Sequence, residues 1–457
     1  MHENSINYNE LVNHKHRVLN QSQTTNRNSV ASKMNILLLG NGGREHAIAW
    51  KIADSQRLTK LWIAPGNAGT EAFGENIAGL AIEDPVAVLR AATDLAIDLV
   101  IIGPEKPLST GVADRLREEG FLVFGANAGP AEIETSKAFA NDLMNKYGID
   151  TADSKLFDSY KEAKAYVREL DGPCVVKANG LAAGKGVTVC DSPAEALQAI
   201  DESMQLRHFG TAGDRIVIEE RMYGWETSAH AFTDGITVRH MPFSCDHKPV
   251  FDQNIGPNTG GMGVYSPSPQ LEPEIQEIIE TQITETLVKA LGAEDRLYQG
   301  VIYPGIMLTD SGPRVVEVNA RFGDPETEVL LPRLKTSLLD IAVGVATSTL
   351  KDVEIEWSNQ STVGVMLTSE GYPGHYEVGH RIYGLEDIDS NIQVFVSGAN
   401  RDTNGHMVTN GGRVLCVTGS ANSLEDARAL VYENIERITF EGVHFRKDIG
   451  RIVAKPD

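Results

Sequence analysis

Three short stretches of this sequence carry residue types that could handle a phosphoryl group. The first is Val175-Val-Lys-Ala-Asn-Gly-Leu-Ala-Ala-Gly-Lys-Gly-Val187. Gly180, Gly184 and Gly186 permit close backbone approach, so main-chain N–H groups can point at anionic oxygens. Lys177 ends an apolar run and would offer a fixed positive charge to phosphates, whereas Lys185 rides on the loop and would arrive as it closes. The run differs from a Walker A loop, because no Ser or Thr follows Gly184-Lys185 and Val187-Thr-Val-Cys190 reads as a strand. A glycine-rich hairpin laid over phosphates fits better, although taken alone an ordinary hairpin stays open. The second stretch is Arg314-Val-Val-Glu-Val-Asn319. Strand residues two apart share a face, so Glu317 and Asn319 present two oxygen ligands suited to hard Mg²⁺. Arg321-Phe-Gly-Asp-Pro-Glu-Thr-Glu328 follows at once and places a guanidinium where a transferring phosphoryl group would need one. The third is Asp246-His-Lys248 with Gly256-Pro-Asn-Thr-Gly-Gly-Met-Gly263, whose glycine density predicts a loop close to a ligand or to another backbone. Lys137 lies near the start of a helix, and Glu219-Glu220 ends an extended segment whose backbone could meet an adenine edge.

The elements that must hold these groups follow from the apolar pattern. Asn35–Leu39, Leu61–Ala64, Leu99–Ile102 and Leu122–Phe124 are short apolar runs, each leading into a Gly- or Pro-containing loop. Helical periods such as His46–Ala53 and Val112–Glu119 lie between them, which predicts a parallel sheet with its ligand-binding loops at the carboxyl edge. Pro173–Lys177, Val187–Cys190 and Arg215–Glu220 are expected strands of a small subdomain. Val301–Thr309 and Arg314–Asn319 are an expected antiparallel pair turning at Asp310-Ser-Gly312, preceded by a helix over Glu272–Leu291. Lys351–Gln360 reads as a linker. Beyond it Thr362–Thr368, Gln393–Ser397 and Arg413–Thr418 read as strands, and Ser423–Arg437 as a helix.

Composition narrows the partners. The 457 residues suffice for about three domains at roughly 150 residues each. A net charge of −22 disfavours duplex nucleic acid and anionic membranes, which would be repelled. Cys174, Cys190, Cys245 and Cys416 form no CxxC pair and are expected as reduced thiols in a cytoplasmic protein. Residues 1–33 lack the apolar core of a secretory signal and are expected to be a disordered extension.

Taken in order, the motifs resemble the ATP-grasp superfamily and, within it, the phosphoribosylamine–glycine ligase family. The resemblance covers about Met34 to Val453. It rests on Gly40-Asn-Gly-Gly-Arg-Glu-His46, Ala64-Pro-Gly-Asn-Ala-Gly-Thr70, Gly180–Val187, Gly256–Gly263, Arg321–Glu326 and Thr409-Asn-Gly-Gly-Arg-Val414. It implies an α/β architecture with a Rossmann-like N-terminal substrate domain (34–139), an ATP-grasp domain (140–350) with a mobile lid (about 155–223), and a small C-terminal α/β domain (361–457). It further implies ligation of glycine to 5-phosphoribosylamine through an acyl phosphate, with ATP as co-substrate and Mg²⁺ or Mn²⁺, in a monomer or weak homodimer. Carried over by position, Lys137, Lys177, Gly180, Gly184, Lys185 and Gly186 would hold ATP phosphates. Glu219 and Glu220 would flank the adenine, Glu226 would meet the ribose, and Glu317 and Asn319 would bind the metal. Lys177 and Arg321 would neutralise charge in catalysis. Gly42, Gly43 and Arg44, with Asn67, would receive phosphoribosylamine, its phosphate at a helix start. Asp246 and Asp324 would hold the glycine ammonium.

The chain departs from the family at Asn254 and Trp225, where acidic residues are common, and Val301–Thr309 offers no further carboxylate to a metal. Another ATP-grasp ligase or a carboxylase is the rival of the same fold. A dinucleotide-binding oxidoreductase is the rival of another class, but Glu45 stands at the last glycine of its GxGxxG pattern. Deleting residues 1–33 is expected to leave turnover and thermal stability nearly unchanged; a large loss of either would make the segment part of the fold.

Overall fold

The computed structural model describes residues 33–182, 186–269 and 271–451. The expected disordered extension therefore lies outside the described residues, except Lys33, and so do Gly184 and Lys185. β1 (Met34–Gly40), β2 (Leu58–Pro65), β3 (Glu75–Asn76), β4 (Leu99–Ile102) and β5 (Leu122–Phe124) form a parallel sheet in the order β3-β2-β1-β4-β5. Helices cover both faces, which is why β1 and β4 read as unbroken apolar runs rather than alternating ones. The helix after β1 spans Gly43–Ala53 and so starts three residues before the expected His46. Glu45 explains the difference: its Oε2 accepts the Gly42 N–H at 2.7 Å and starts the helix early.

The next helix boundary also departs from expectation. The limit placed at 139/140 falls inside the helix Lys137–Tyr147, which Ser136 caps and Gly148, at φ 68°, terminates. Beyond it, β6 (Ser154–Phe157), β7 (Cys174–Ala178), β8 (Val187–Cys190) and β9 (Ile216–Glu220) form an antiparallel sheet in the order β6-β9-β7-β8. It packs on the helices Tyr160–Leu170 and Pro193–Ile200 around its own small core of Phe157, Val167, Val176, Ile200, Ile216 and Ile218. A subdomain with a separate core can shift as a unit.

β10 (Trp225–Ser228), β11 (Ala231–Thr233) and β12 (Val238–His240) open the central region. β13 (Cys245–Asp246), β14 (Pro249–Phe251), β15 (Ile255–Asn258) and β16 (Gly263–Ser266) follow, then β17 (Gly300–Thr309) and β18 (Gly312–Asn319). The central sheet runs β10-β17-β11-β12, with β18 antiparallel to β17. The helical stretch before β17 runs from Pro273 to Ala293 but passes through a π-helical turn at Ile279–Thr284.

β19 (Ser361–Ser369), β20 (Ile392–Val396), β21 (Ala399–Arg401), β22 (Met407–Thr409), β23 (Arg413–Ala421) and β24 (Val443–His444) complete the fold. The sheet built on β19 and β23 is not self-contained. Its order is β13-β16-β19-β23-β20, so two strands from the central region extend it, with β16 antiparallel to β19. The expected separate C-terminal domain thus shares its sheet with the segment 245–266. The expected linker is also packed, since Trp357 lies against the core and bridges to Leu334. All four cysteines are buried free thiols. Among the described residues no helix is long and apolar enough to cross a membrane.

An aromatic cluster joins the N-terminal and C-terminal sheets. Phe395 of β20 is 1% exposed and packs edge-on against His46 and Trp50, with ring centroids 5.7 and 5.8 Å away. Phe395→Ala is expected to destabilise the protein by about 3–5 kcal/mol, read by denaturant unfolding. A change within experimental scatter would show that the two sheets do not depend on this contact.

Candidate active site

The lid, the central sheet and the end of the N-terminal sheet enclose a cleft of about 440 Å³, a size suited to a small-molecule ligand. Lys137, Lys177, Gly186, Glu219, Glu220, Glu226, Asp246, Glu317, Asn319, Arg321, Asp324 and Arg44 all line it. They come from positions spread over almost three hundred residues of sequence, so the fold alone assembles them.

Glu317 lies at the centre of the charge pattern. Burial opposes its ionisation, yet Lys248, then Lys137, Lys177 and Arg321, hold its carboxyl down at about 2. Three of these cations, Lys177, Lys248 and Arg321, have further partners. Lys177, 3% exposed at the end of β7, lies 2.6 Å from Glu219 Oε2 and donates to the Val316 carbonyl at 2.9 Å. Lys248 lies 3.2 Å from Glu226 and 3.9 Å from Glu317. Its ammonium is stabilised first by Glu226, against burial. Lys137 has its pKa lowered by burial, with Glu317 opposing and Lys177 reinforcing the shift. Arg321 meets Glu134 at 2.9 Å and Glu105 at 3.4 Å, and donates to Asn319 Oδ1 at 3.1 Å. Its guanidinium lines the cleft bridged to two carboxylates of the N-terminal region.

Several expected contacts are taken up within the chain. Gly180 gives its N–H to the Ala212 carbonyl at 3.1 Å, and a Cβ there would lie 2.9 Å from Ala212 Cα. Its glycine is needed for this close approach. Asn67 donates from Nδ2 to Asn41 and Val396 carbonyls, both at 2.8 Å, and accepts from Gly69 and Thr70 N–H groups. The amide is fully engaged, and Asn67 holds its loop without lining the cleft. Glu220 pairs with Arg314 and accepts the Asp153 N–H, and its own N–H donates to the Asp153 carbonyl at 2.9 Å. Asn254 sits at φ 58° in the tip between β14 and β15, outside the cleft lining. Its missing acid is therefore remote from the chemistry.

The opposite wall is built around Asp246 and Asp324. Burial, then Glu326, push the Asp246 carboxyl well above the usual carboxylate range, while Lys248 and Arg413 oppose. Asp324 Oδ1 lies 2.8 Å from Arg413, which also donates to the carbonyls of Gly260 at 2.6 Å and Asp324 at 2.9 Å. Glu326, buried at 3% exposure, accepts from Tyr303 Oη at 2.5 Å and Ser228 Oγ at 3.1 Å. Sequence reasoning assigned no role to Glu105, Glu134, Lys248, Tyr303 or Arg413. Lys248 and Arg413 at least stand inside quoted motifs. The two glutamates are lone acids on helices, which carry no local signal.

The first glycine-rich turn does not suit a dinucleotide. Glu45 Oε2 holds the Gly42 N–H, and a Cβ on Gly40 would lie 2.4 Å from Glu45 Cγ, so the carboxylate fills the space a pyrophosphate would need. The donor set at Glu317 and Asn319 is all oxygen, ionised at Glu317 and on one strand face, which fits a hard divalent cation.

Comparison with known proteins agrees with this geometry. Residues 34–134 match the phosphoribosylglycinamide synthetase N domain, 135–327 its ATP-grasp (A) domain and 362–452 its C domain. The chain is 44% identical over 420 residues to a phosphoribosylamine–glycine ligase of Halalkalibacterium halodurans, covering 91% of this chain and 96% of that protein. It is 43% identical over 428 residues to that of Rhodopirellula baltica, covering 92% and 98%. The crystal structure of phosphoribosylamine–glycine ligase from Thermotoga maritima superposes with a TM-score of 0.79 at 32% identity, over 91% of this chain and 99% of that one. A biotin carboxylase domain of Hydrogenobacter thermophilus superposes with a TM-score of 0.69 at 15% identity, over 90% and 92%, a likeness of fold alone. The chain belongs to the phosphoribosylglycinamide synthetase family, ATP-grasp ligases that join glycine to phosphoribosylamine in purine biosynthesis.

Proposed function

We propose that the cleft joins glycine to 5-phosphoribosylamine through a glycyl phosphate, with the β18 side chains at its electrostatic centre. The observation that carries this reading is the ring of Lys137, Lys177, Lys248 and Arg321 around the ionised Glu317. A carboxylate must gain a good leaving group before an amine can displace its oxygen. Here a glycine carboxylate oxygen attacks the γ-phosphorus of ATP, and ADP leaves. The amine nitrogen of phosphoribosylamine then attacks the glycyl carbonyl carbon, phosphate departs, and the nitrogen loses a proton.

Lys137 and Lys177 hold the polyphosphate, and the hairpin through Gly186 covers it and keeps water from the acyl phosphate. The backbone of Glu219 and Glu220 meets the adenine, and Glu226 its ribose. Glu317 and Asn319 hold Mg²⁺ or Mn²⁺, which supplies charge neutralisation across the phosphates. Arg321, fixed by Glu105 and Glu134, presents positive charge beside Asn319. Asp246 takes the glycine ammonium: a carboxyl raised by burial and by Glu326 regains its ionised state when a cation arrives. Asp324, tied to Arg413, orients that wall. The turn Gly42-Gly43-Arg44 receives the sugar phosphate, and Asn67 supports it from behind. In cells this places the protein in the cytoplasm with small molecules as its partners, acting as a monomer or weak homodimer.

Phosphate release from ATP is expected to require both glycine and phosphoribosylamine generated in place, with a product mass matching glycinamide ribonucleotide. Turnover indifferent to glycine but dependent on bicarbonate would instead favour a carboxylase. Glu317→Gln is expected to lower kcat about a hundredfold and raise the Mg²⁺ concentration needed for half-maximal rate. An unchanged metal dependence would remove Glu317 from the metal site.

A further inference from the structure

The motif Thr409-Asn-Gly-Gly-Arg-Val414 brings more than Arg413 to the cleft. Its two glycines carry a turn of the C-terminal region. Ser369 donates its N–H to the Gly412 carbonyl at 2.8 Å and its Oγ to the Gly411 carbonyl at 2.9 Å. Tyr372 closes that turn, with its N–H on the Ser369 carbonyl at 3.2 Å. A Cβ on Gly412 would run into the Tyr372 ring, so glycine is what admits the aromatic side chain there. From this seat Tyr372 Oη accepts the Gly260 N–H at 3.0 Å, while Arg413 Nη1 donates to the Gly260 carbonyl at 2.6 Å. Both backbone groups of Gly260 are thus held by side chains that lie 112 and 153 residues later in the chain.

The strip Thr259–Gly261 is narrow and tightly backed. Thr259 and Gly260 line the cleft together with Asp246 and Arg413, and Tyr372 stands behind them, outside the lining. A Cβ on Gly260 would stand 3.0 Å from Arg413 Cζ. One on Gly261 would stand 2.6 Å from Asp246 Oδ1 and 2.5 Å from Pro325 Cδ. Main chain therefore touches the Asp246 carboxylate on one side and the Arg413 guanidinium on the other. Thr259 Oγ1 ties the strip at its base, accepting the Gly261 N–H at 2.9 Å and donating to the Lys248 carbonyl at 2.7 Å.

Choosing the smallest amino acid is a steric problem. Alanine offers the same ammonium and carboxylate as glycine, so attraction to those groups cannot reject it, and a wall that does not yield must do so. A loop peptide yields unless its N–H and its carbonyl are both fixed by supporting groups. We propose that Tyr372 is a positioning residue for amino-acid selection: through Gly260 it holds the Thr259–Gly261 strip against Asp246, so that glycine fits and an amino acid with a side chain does not. The inference rests on the ligase reading above, in which Asp246 takes the glycine ammonium, and adds the element that keeps that subsite narrow. It also gives the C-terminal region a part in substrate choice.

The test is steady-state phosphate release, with phosphoribosylamine generated in place, by the full-length wild type, Tyr372→Phe and Tyr376→Phe. Each is supplied with glycine, L-alanine or D-alanine, and the products are identified by mass. The two alanines place a methyl at either of the two α-hydrogens of glycine. In the wild type both are expected to be used at least about a hundredfold less efficiently than glycine, by kcat/KM. Tyr372→Phe keeps the ring but leaves the Gly260 N–H without its acceptor. There the preference for glycine over at least one alanine is expected to fall about tenfold, and KM for glycine to rise while KM for ATP holds. Tyr376→Phe, on the neighbouring ring 6.3 Å away, is expected to match the wild type. An unchanged preference in Tyr372→Phe, equal rises in KM for glycine and ATP, or a wild type that uses alanine as well as glycine would overturn the role of Tyr372 and leave the ligase reading intact. No glycine-dependent turnover by the wild type would overturn both.

Discussion

One cleft carboxylate, Glu317, with its side chain 35% exposed, organises the charges of the cleft. Burying a charge is costly unless opposite charges come with it, and here they come from four separate segments. Lys137 begins the helix after the N-terminal sheet, Lys177 ends a lid strand, Lys248 follows β13, and Arg321 follows β18 itself. Attraction between charges falls off with distance, so the four segments whose cations hold the Glu317 carboxyl down converge on β18. Acids and cations alternate outward from Glu317, with Glu219 on Lys177, Glu226 on Lys248, and Glu105 and Glu134 on Arg321. Each pair therefore fixes an element as well as a charge, and removing one partner strands the other in the interior.

This alternation bears on how a polyphosphate can enter. No cation in the ring is idle, since each already faces a carboxylate or another buried group. Phosphate oxygens must share Lys177 with Glu219 and compete with Glu317 for Lys137. The acids of the ring leave an excess of negative charge once a nucleotide is bound. An oxygen pair on one strand face, Glu317 with Asn319, is the natural place for a divalent cation to offset it. The acidic net charge of the chain is thus compatible with nucleotide chemistry, because the local pattern and not the total decides binding.

What the sequence made legible follows the range of the forces involved. β4, β5 and β8 lie where the apolar runs place them, because each is bounded by a loop or turn and buried as a short unit. The two-residue period puts Glu317 and Asn319 on one face, and both line the cleft with Val318 buried between them. Non-local pairings were not legible. Nothing in Gly263-Val-Tyr-Ser266 announces that it pairs with Ser361–Ser369, since that choice depends on a register about a hundred residues away. Glu105 and Glu134 were missed for the same reason, as a helical glutamate is ordinarily solvated and becomes an anchor only when Arg321 is folded against it. A polar residue in a glycine-rich loop suggests a ligand, but the Asn67 amide also accepts from Gly69 and Thr70 and donates to the Asn41 and Val396 carbonyls, bonds that no local pattern announces.

The shared sheet explains why the C-terminal region is more than an appendage. Asp246, which takes the glycine ammonium in the proposed mechanism, lies on β13 at the edge of the sheet that β19 and β23 continue. Glu317, placed at the phosphates in the proposed mechanism, lies on β18 in the other sheet. The two halves of the reaction are thus placed by different sheets, and their separation is set wherever those sheets are joined. The joint is polar and specific. Arg413, at the start of β23, binds the Asp324 carboxylate and carbonyl and the Gly260 carbonyl, while Ser228 of β10 bridges to Ser244 beside β13. A guanidinium fork gripping three oxygens on two loops resists shear better than an apolar contact of the same size, because its bonds are directional. The spacing between Asp246 and Glu317 is therefore held in part by a residue that the chain supplies some ninety positions after β18.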